Sequence, residues 1–149
     1  MAMSTDDDLI TYQPDILNYG ITEFTDEHTK ARDDILRKLR NEWWGRAKTY
    51  NAVESNSSNA QMDVDRLTES QFTRCAVYRV LSEYALPQLT KWNADGDEDK
   101  FQVMMMHYHT KYAEEFSNIL LDGVEYDFDD DGTIQDDERE AIHTTRLMR

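Results

Sequence analysis

DEDKFQVMMMHYHTKYAEEFSNILLDG, at residues 97–123, carries the most regular hydrophobic pattern in the sequence. Its apolar side chains recur with a period near 3.6 residues and share one side of a helix: Phe101, Met104, Met105, Tyr108, Tyr112, Phe116, Ile119 and Leu120. The acidic residues 97–99 favour the positive end of the helix dipole, and Gly123 suits the left-handed position after the last turn. The stretch predicts a long amphipathic helix with one buried face.

Two further helices with the same period are predicted upstream. One runs from Thr25, a possible cap, to Trp44, with a stripe formed by Ala31, Ile35, Leu39 and Trp43. The other follows Thr68-Glu69-Ser70-Gln71, which has the form of a capping box, and Pro87 stops or kinks it. A short helix is predicted at Pro14–Tyr19, before Gly20. The polar residues 1–12 are expected to form a frayed end.

These elements predict an all-α fold, a three-to-four-helix bundle with a long loop between Thr49 and Asp65. We expect residues 1–123 to form the helical bundle. Residues 124–149 are expected to form a turn that resembles a calcium loop, followed by an extended C-terminal docking arm. Only Val124–Phe128 could pair briefly as a strand.

Composition limits the class of protein. The 149 residues carry a net charge of -15 at pH 7, which disfavours a nucleic-acid binder that works through a general basic face. Aromatic residues make up 11% of the chain, too many for a wholly disordered acidic protein. The single Cys75 excludes an internal disulfide. The first residues predict no secretory signal, and no apolar run approaches the ~20 residues of a membrane span.

The sharpest local motif is DFDDDGTIQDDE at residues 127–138, which matches the twelve-residue EF-hand calcium loop. Alternate carboxylates on a tightly turning backbone converge on one hard cation, and Gly132 permits the sharp turn. The pattern predicts a structural Ca²⁺ site with these ligands: Asp127, Asp129, Asp131, Thr133 through its carbonyl, Gln135 through water, and Glu138 through two oxygens.

The same motif also permits a solvated acidic turn without metal, held by hydrogen bonds from Asp side chains. Residues 123–126 separate the preceding helix from the first ligand, whereas the helix of an EF-hand runs directly into the loop. No second loop is present in the sequence. A solitary loop favours a structural staple over a calcium switch.

Charge is unevenly distributed along the chain. Seven of the sixteen basic residues lie between Lys30 and Lys48, whereas ten acidic residues and one basic residue lie between Asp122 and Glu140. A protein with one basic face and one acidic end can bind copies of itself or a partner with complementary charge. We therefore predict a subunit interface on the basic helix, formed by Lys30, Arg37, Lys38, Arg40, Trp43 and Trp44. Two independently solvated surfaces, with the tryptophans as a helix anchor, remain the alternative.

The C-terminal residues become apolar and basic after the acidic loop. They fit a docking arm that orders on a partner, with these contact residues: Ile142, His143, Arg146, Leu147, Met148 and Arg149. A disordered end is the alternative. No motif supports an enzyme: His107 and His109 face different sides of a helix, and Cys75 lies on an apolar face.

The order of these parts resembles the head-to-tail adaptor, or neck, proteins of tailed bacteriophages. The likeness covers residues 11–149, from YQPDILNYG at residues 12–20, through SQFTRCAVY at residues 70–78, to LDGVEYDFDDDGTI at residues 121–134 and the end HTTRLMR. Residues 121–149 are its most specific part, because the helices alone would fit many bundles.

The resemblance implies a structural virion protein in the neck, assembled in the host cytoplasm. It implies a ring, usually of twelve copies, that binds the portal through the C-terminal arm and receives tail, nozzle or head-closure proteins at its other end. Double-stranded DNA would pass through the channel without specific binding, which a negative body favours. The adaptor role does not require the calcium loop. An EF-hand-like, calcium-dependent binding module and an acidic DNA mimic are the other hypotheses.

Overall fold

A computed structural model describes residues 2–50, 61–89 and 100–134 of the chain. Within these residues the protein is mostly helical, and its only β-pairing is an isolated antiparallel bridge between Leu67 and Tyr126. The prediction of an all-α fold is confirmed. The predicted loop at residues 49–65 lies partly outside the described residues.

The described residues contain six α-helical segments, which form the body of the molecule. They are α1 (Asp6–Tyr12), α2 (Thr25–Leu39), α3 (Gly45–Tyr50), α4 (Thr73–Arg79), α5 (Leu86–Leu89) and α6 (Lys100–Asp122). Two π-helical turns, Arg40–Trp44 and Val80–Ala85, join α2 to α3 and α4 to α5. Shorter 3₁₀ turns occupy Ile16–Asn18, Val64–Arg66 and Glu69–Phe72.

The π-helical turns explain two differences from the predicted helices. The helix predicted at Thr25–Trp44 does not end at Trp44, because the wider turn continues into α3. This turn lets the adjacent rings of Trp43 and Trp44 both reach the core. Pro87 does not end the second helix. The wider turn before it relieves the clash that a proline ring makes with the preceding turn.

The continuous helix α4–α5 is central, because it contacts both α2 and α6. Burial divides the interior into two clusters. The first, here called the tryptophan core, includes Ile35, Leu39, Trp43, Trp44, Phe72, Phe116 and Tyr126. The second includes Leu9, Ile16, Phe24, Val77, Val80, Leu81, Leu86 and Tyr108. The predicted buried face of α6 is confirmed at Tyr108, Tyr112, Phe116 and Ile119.

The N-terminal residues are ordered helix rather than the predicted frayed end. Thr5 and Asp8 form a reciprocal capping box at the start of α1, and Leu9 is fully buried. The buried imidazole of His28 then links this segment to α2, with Nδ1 2.6 Å from Ser4 Oγ and Nε2 3.0 Å from Asp6 Oδ1. These contacts hold the first helix against the second cluster.

Two predicted helix caps do not form. Thr25 begins α2, but the residue that precedes the helix is Phe24, whose amide donates to Asp6. The expected box at Thr68–Gln71 is replaced by longer-range bonds. Glu69 pairs with the guanidinium of Arg32 at 2.6 Å, and Gln71 bonds to the chain that follows α6. Tertiary partners compete successfully with local capping at this turn.

Burial also sets the alkaline titration of the body. It raises the pKa of the Cys75 thiol from 9.0 to about 12. Burial, together with a hydrogen bond that the Tyr84 hydroxyl donates to Asp34, raises the pKa of Tyr84 from 10.0 to about 12. Cys75, which the sequence places on an apolar helix face, is confirmed as buried, with 0% of its surface exposed.

We expect the free energy of unfolding to fall in strongly alkaline solution. The unfolded chain loses the thiol proton near pH 9.0 and the phenol proton near pH 10.0, whereas the folded chain keeps both to about pH 12. Stability is therefore complete below pH 9.0 and declines as pH rises toward 12. Urea titrations across this range measure the decline, and Cys75→Ala and Tyr84→Phe should each make it shallower. A flat profile would contradict the assignment.

In the described part of the chain, no helix combines the length and apolarity needed to cross a membrane.

Candidate metal loop

The chain that leaves α6 is bound to the body before the acidic loop begins. The amide of Gly123, whose φ is +96°, closes the last helical turn on Ile119. The side chain of Gln71 then bonds both neighbours of Val124, donating to the Gly123 carbonyl at 2.9 Å and accepting from the Glu125 amide at 3.0 Å. This segment is a strap across the body rather than an extension of the helix.

A short ladder continues the strap. The Thr68 amide donates to the Glu125 carbonyl, and the Asp127 amide donates to the Arg66 carbonyl at 3.0 Å. The bridge at Tyr126 confirms in part the brief strand pairing that the sequence predicts. It also fixes the first predicted metal ligand, Asp127, at the edge of the body.

Four aromatic side chains, here called the aromatic cluster, support the loop from below: Trp43, Trp44, Tyr126 and Phe128. Phe128 stacks on Trp44 with an interplanar angle of 4°, and its centroid lies 4.7 Å from that of Tyr126. The Tyr126 hydroxyl also accepts the Asp63 amide at 2.9 Å. Residues 124–128 thus pack into the tryptophan core, although the sequence places them in a separate turn-and-arm unit.

The acidic loop turns sharply above this cluster. Asp130 and Gly132 have φ values of +57° and +87°, which reverse the chain twice within three residues. One carboxylate oxygen each from Asp127, Asp129 and Asp131 then lies within 4.8 Å of the others. The structure brings together the first three predicted ligands, with Asp127 buried and the other two exposed.

Hydrogen bonds from the loop backbone orient these carboxylates. Asp127 accepts the amides of Asp131 at 3.2 Å and Gly132 at 2.8 Å, and Asp131 accepts the amide of Thr133 at 2.9 Å. Such bonds satisfy part of the loop's charge without a metal, as the acidic-turn alternative requires. The geometry is therefore compatible with both interpretations that the sequence leaves open.

One cation lies beside the loop. The Arg66 guanidinium donates to the Phe128 carbonyl at 3.3 Å and lies 3.4 Å from Asp130 Oδ2. Asp130 is not among the predicted ligands, so this ion pair offsets loop charge at a carboxylate outside the predicted ligand set. Sequence reasoning missed Arg66, since nothing in the spacing of residues 66 and 130 signals their contact.

Only one of the other three predicted metal ligands lies in the described part of the chain. Thr133 lies within the described loop, whereas Gln135 and Glu138 lie outside the described residues. Of the six metal ligands that the EF-hand pattern predicts, the described residues contain four. Three of these are the convergent carboxylates, and the fourth is Thr133. Carboxylate oxygens are hard ligands, and a set of them suits Ca²⁺ better than a transition metal.

The predicted subunit interface divides into two groups. Lys30 and Arg37 are exposed on α2, and Arg40 is exposed on the π-helical turn that follows it. Lys38 lies partly over the helix surface, with its ammonium 5.0 Å from the Phe116 ring centroid and 3.2 Å from Glu42. Lys30, Arg37, Lys38 and Arg40 are therefore the predicted interface residues that lie on the surface, and they are here called the basic surface.

Trp43 and Trp44 do not belong to that surface. They are only 5% and 6% exposed and pack in the tryptophan core, because an indole gains more from burial than a solvated interface position can supply. Their assignment to the subunit interface is therefore corrected, and the structure supports the alternative of a helix anchor.

The predicted partner-binding residues lie outside the described residues: Ile142, His143, Arg146, Leu147, Met148 and Arg149. No family model, curated protein or solved structure matches the chain.

Proposed function

We propose that the chain is a subunit of the ring that joins the portal of a tailed bacteriophage to its tail. In this proposal the helices form the body of the ring, and residues 142–149 bind the portal. DNA passes along the channel without specific contacts. The observation that carries the proposal is the mounting of the acidic loop on the aromatic cluster, at the end of the described residues that precedes residues 142–149 in the sequence.

The packing of the loop on the aromatic cluster matters because a docking segment binds more tightly when the residues that precede it are held in place. The strap at Gly123–Asp127 is held by Gln71 and by the ladder to residues 66–68, so loop motion is restrained at its origin. Preorganisation of this kind lowers the entropy that a docking segment loses when it binds. The proposed role of Ca²⁺ is to stiffen the remaining turn.

Electrostatics are compatible with the same role. The net charge of -15 repels the DNA backbone, which favours sliding over adhesion in a channel. The basic surface of Lys30, Arg37, Lys38 and Arg40 offers an attractive contact to an acidic neighbour. A ring of chains with this charge division assembles without binding the DNA that it surrounds.

Electron microscopy of the purified chain mixed with a portal complex tests the proposal. We expect a ring of additional density on one end of the portal. Absence of binding across portals from several tailed phages would overturn the adaptor assignment. A monomer in isolation would not decide it, because the proposed ring forms on the portal.

Calcium should stabilise the chain through the acidic loop. At a free concentration about 100-fold above Kd, binding to the native state alone adds about 2.7 kcal/mol to the free energy of unfolding. Thermal unfolding with Ca²⁺, with Mg²⁺ and with chelator measures this effect. Asp127→Ala and Glu138→Gln should abolish the response while leaving helical circular dichroism largely intact.

Asp130→Asn is the matched control for this calcium experiment. It removes a carboxylate from the same loop, Asn tolerates the positive φ at this position, and residue 130 is not a predicted ligand. We expect the calcium response to survive. Equal loss in Asp127→Ala and Asp130→Asn would indicate general charge screening and would contradict a defined site.

The EF-hand-like binding module remains the second candidate, favoured by the convergence of Asp127, Asp129 and Asp131. A calcium sensor opens an apolar groove when the ion binds, whereas a staple does not. Binding of a hydrophobic dye with and without Ca²⁺ separates the two. An increase in dye fluorescence with Ca²⁺ would favour the module over the adaptor.

A further inference from the structure

A second stripe of uncharged side chains runs along the outside of α6. Its positions follow the 3-4-3-4 spacing of a helix that packs against another helix: Val103, Met106, Thr110, Ala113, Ser117 and Leu121, with the last one residue beyond the strict repeat. All six are exposed. Val103 is 56% exposed, Met106 60% and Leu121 53%, the highest values among the large hydrophobic residues that the structure describes.

This outer stripe, here called the α6 face, lies opposite the residues that α6 buries. Tyr108, Tyr112, Phe116 and Ile119 already pack in the core, so the helix needs no second apolar surface for the fold of one chain. Ala113 and Ser117 are small and lie in a surface depression, which allows a neighbouring element to approach closely. The stripe therefore has the form of an intermolecular contact.

Charge argues against two α6 faces meeting each other. Residues 111–122 of α6 carry three acidic side chains and one basic, a net charge of -2, and the acidic loop follows them. Glu114 lies beside Ala113 and Ser117 at the same surface depression and is exposed. A two-fold contact would bring two such regions together in a protein that is already strongly negative.

The complementary surface lies on the same chain. Residues 37–48 carry five basic side chains and one acidic, a net charge of +4, and Arg37 and Arg40 are exposed there. Beside Met106, a groove of about 340 Å³ is lined by Pro87, Met105, His109 and Glu83, whose carboxylate lies 3.5 Å from both Arg79 and His109. The apolar part of this lining suits the stem of an arginine, and Glu83 adds negative charge beside it.

We propose that the α6 face binds residues 37–48 of a second copy of this chain, the segment that includes Arg37, Lys38 and Arg40 of the basic surface. The contact is heterologous, since each copy uses a different surface toward each of its two neighbours, and such contacts close into rings when the rotation permits. This inference deepens the proposed function by assigning the surfaces between subunits, and in that sense rests on it.

Site-directed crosslinking between two variants tests the pairing. Met106→Cys and Arg40→Cys are prepared separately, mixed at concentrations where the wild type associates, and treated with a bis-maleimide. The buried Cys75 does not compete for the reagent. We expect crosslinked pairs in the mixture and far fewer in either variant alone, on a portal complex and at any concentration where the free protein associates.

Charge substitutions give an independent readout by sedimentation. Met106→Lys, which sets a positive charge against the basic surface, and separately Arg37→Glu with Arg40→Glu, should weaken self-association at least tenfold. They should leave the melting temperature close to wild type, since all three positions are exposed on helices. Glu114→Arg added to the Arg37/Arg40 variant should restore part of the association.

The failures can be told apart. Crosslinking of Met106→Cys with itself, or unchanged assembly of both charge variants, would overturn the pairing while leaving portal binding and the proposed function intact. Association that depends on these residues, in a chain that binds no portal, would support the pairing and overturn the adaptor role. A chain that does not self-associate either alone or on a portal would overturn the pairing.

Discussion

Tyr126→Ala is expected to lower the free energy of unfolding by about 3–5 kcal/mol, the range for removing a buried aromatic side chain. Tyr126 is 2% exposed and lies between Trp43, Trp44 and Phe128. Its loss leaves a cavity under the acidic loop and removes the hydroxyl that accepts the Asp63 amide. Urea denaturation followed by tryptophan fluorescence measures the change, because two indoles line the affected site.

Tyr126→Phe is the matched control. It keeps the ring and removes only the hydroxyl, so we expect a loss of about 1 kcal/mol, typical of one hydrogen bond. If the alanine variant lost no more than the phenylalanine variant, the loop would not be anchored by packing on the aromatic cluster. The same pair also tests the loop, since only the alanine variant should weaken calcium binding.

Deleting residues 144–149 is expected to reduce portal binding by at least about 100-fold, equivalent to about 2.8 kcal/mol. The segment contains Arg146, Leu147, Met148 and Arg149, which supply both apolar and cationic contacts. Folding should be spared, because in the described part of the chain the two core clusters are built from residues between 3 and 128. Surface plasmon resonance on an immobilised portal measures binding, and thermal unfolding measures folding.

A chain of equal length with residues 144–149 replaced by their scrambled order controls for charge and composition. We expect it to bind as weakly as the deletion if the arm docks in one register. Binding at wild-type strength by the deleted chain would refute the docking arm. Wild-type binding by the scrambled chain alone would show that charge attraction suffices and that no specific register exists.

Periodicity along the chain was enough to identify the principal helices. The spacing from Phe101 to Leu120 repeats every 3.6 residues over five turns, so one amphipathic solution dominates the local choice. Prediction failed at the joints. The π-helical turns at Arg40–Trp44 and Val80–Ala85 depend on which neighbour each widened turn meets, and no local periodicity encodes that.

Capping was predicted least well, for a related reason. Thr68–Gln71 has the residues of a capping box, yet Glu69 and Gln71 bond to Arg32 and to the strap after α6. The box that does form, at Thr5 and Asp8, lies in a segment that its polar composition marks as frayed. Short polar side chains have several partners within reach, and only the assembled fold selects among them.

The acidic motif was evident from the order of its residues. Carboxylates at alternate positions around Gly132 converge because the backbone between them must turn, which is a local property of the chain. Sequence spacing could not place Arg66 beside Asp130 or put Phe128 on Trp44, since these pairs are more than sixty residues apart.

The amino-acid order by itself determined the helical class, the buried stripe of α6 and the acidic turn, because each depends on contacts within a few residues along the chain. Only the tertiary structure decided that Trp43 and Trp44 are buried, that the N-terminus is held by His28, and that α6 carries a second, exposed stripe of uncharged side chains. A side chain's burial depends on which distant surfaces meet it. Those meetings arise from the packing of the whole body, and no single segment specifies them.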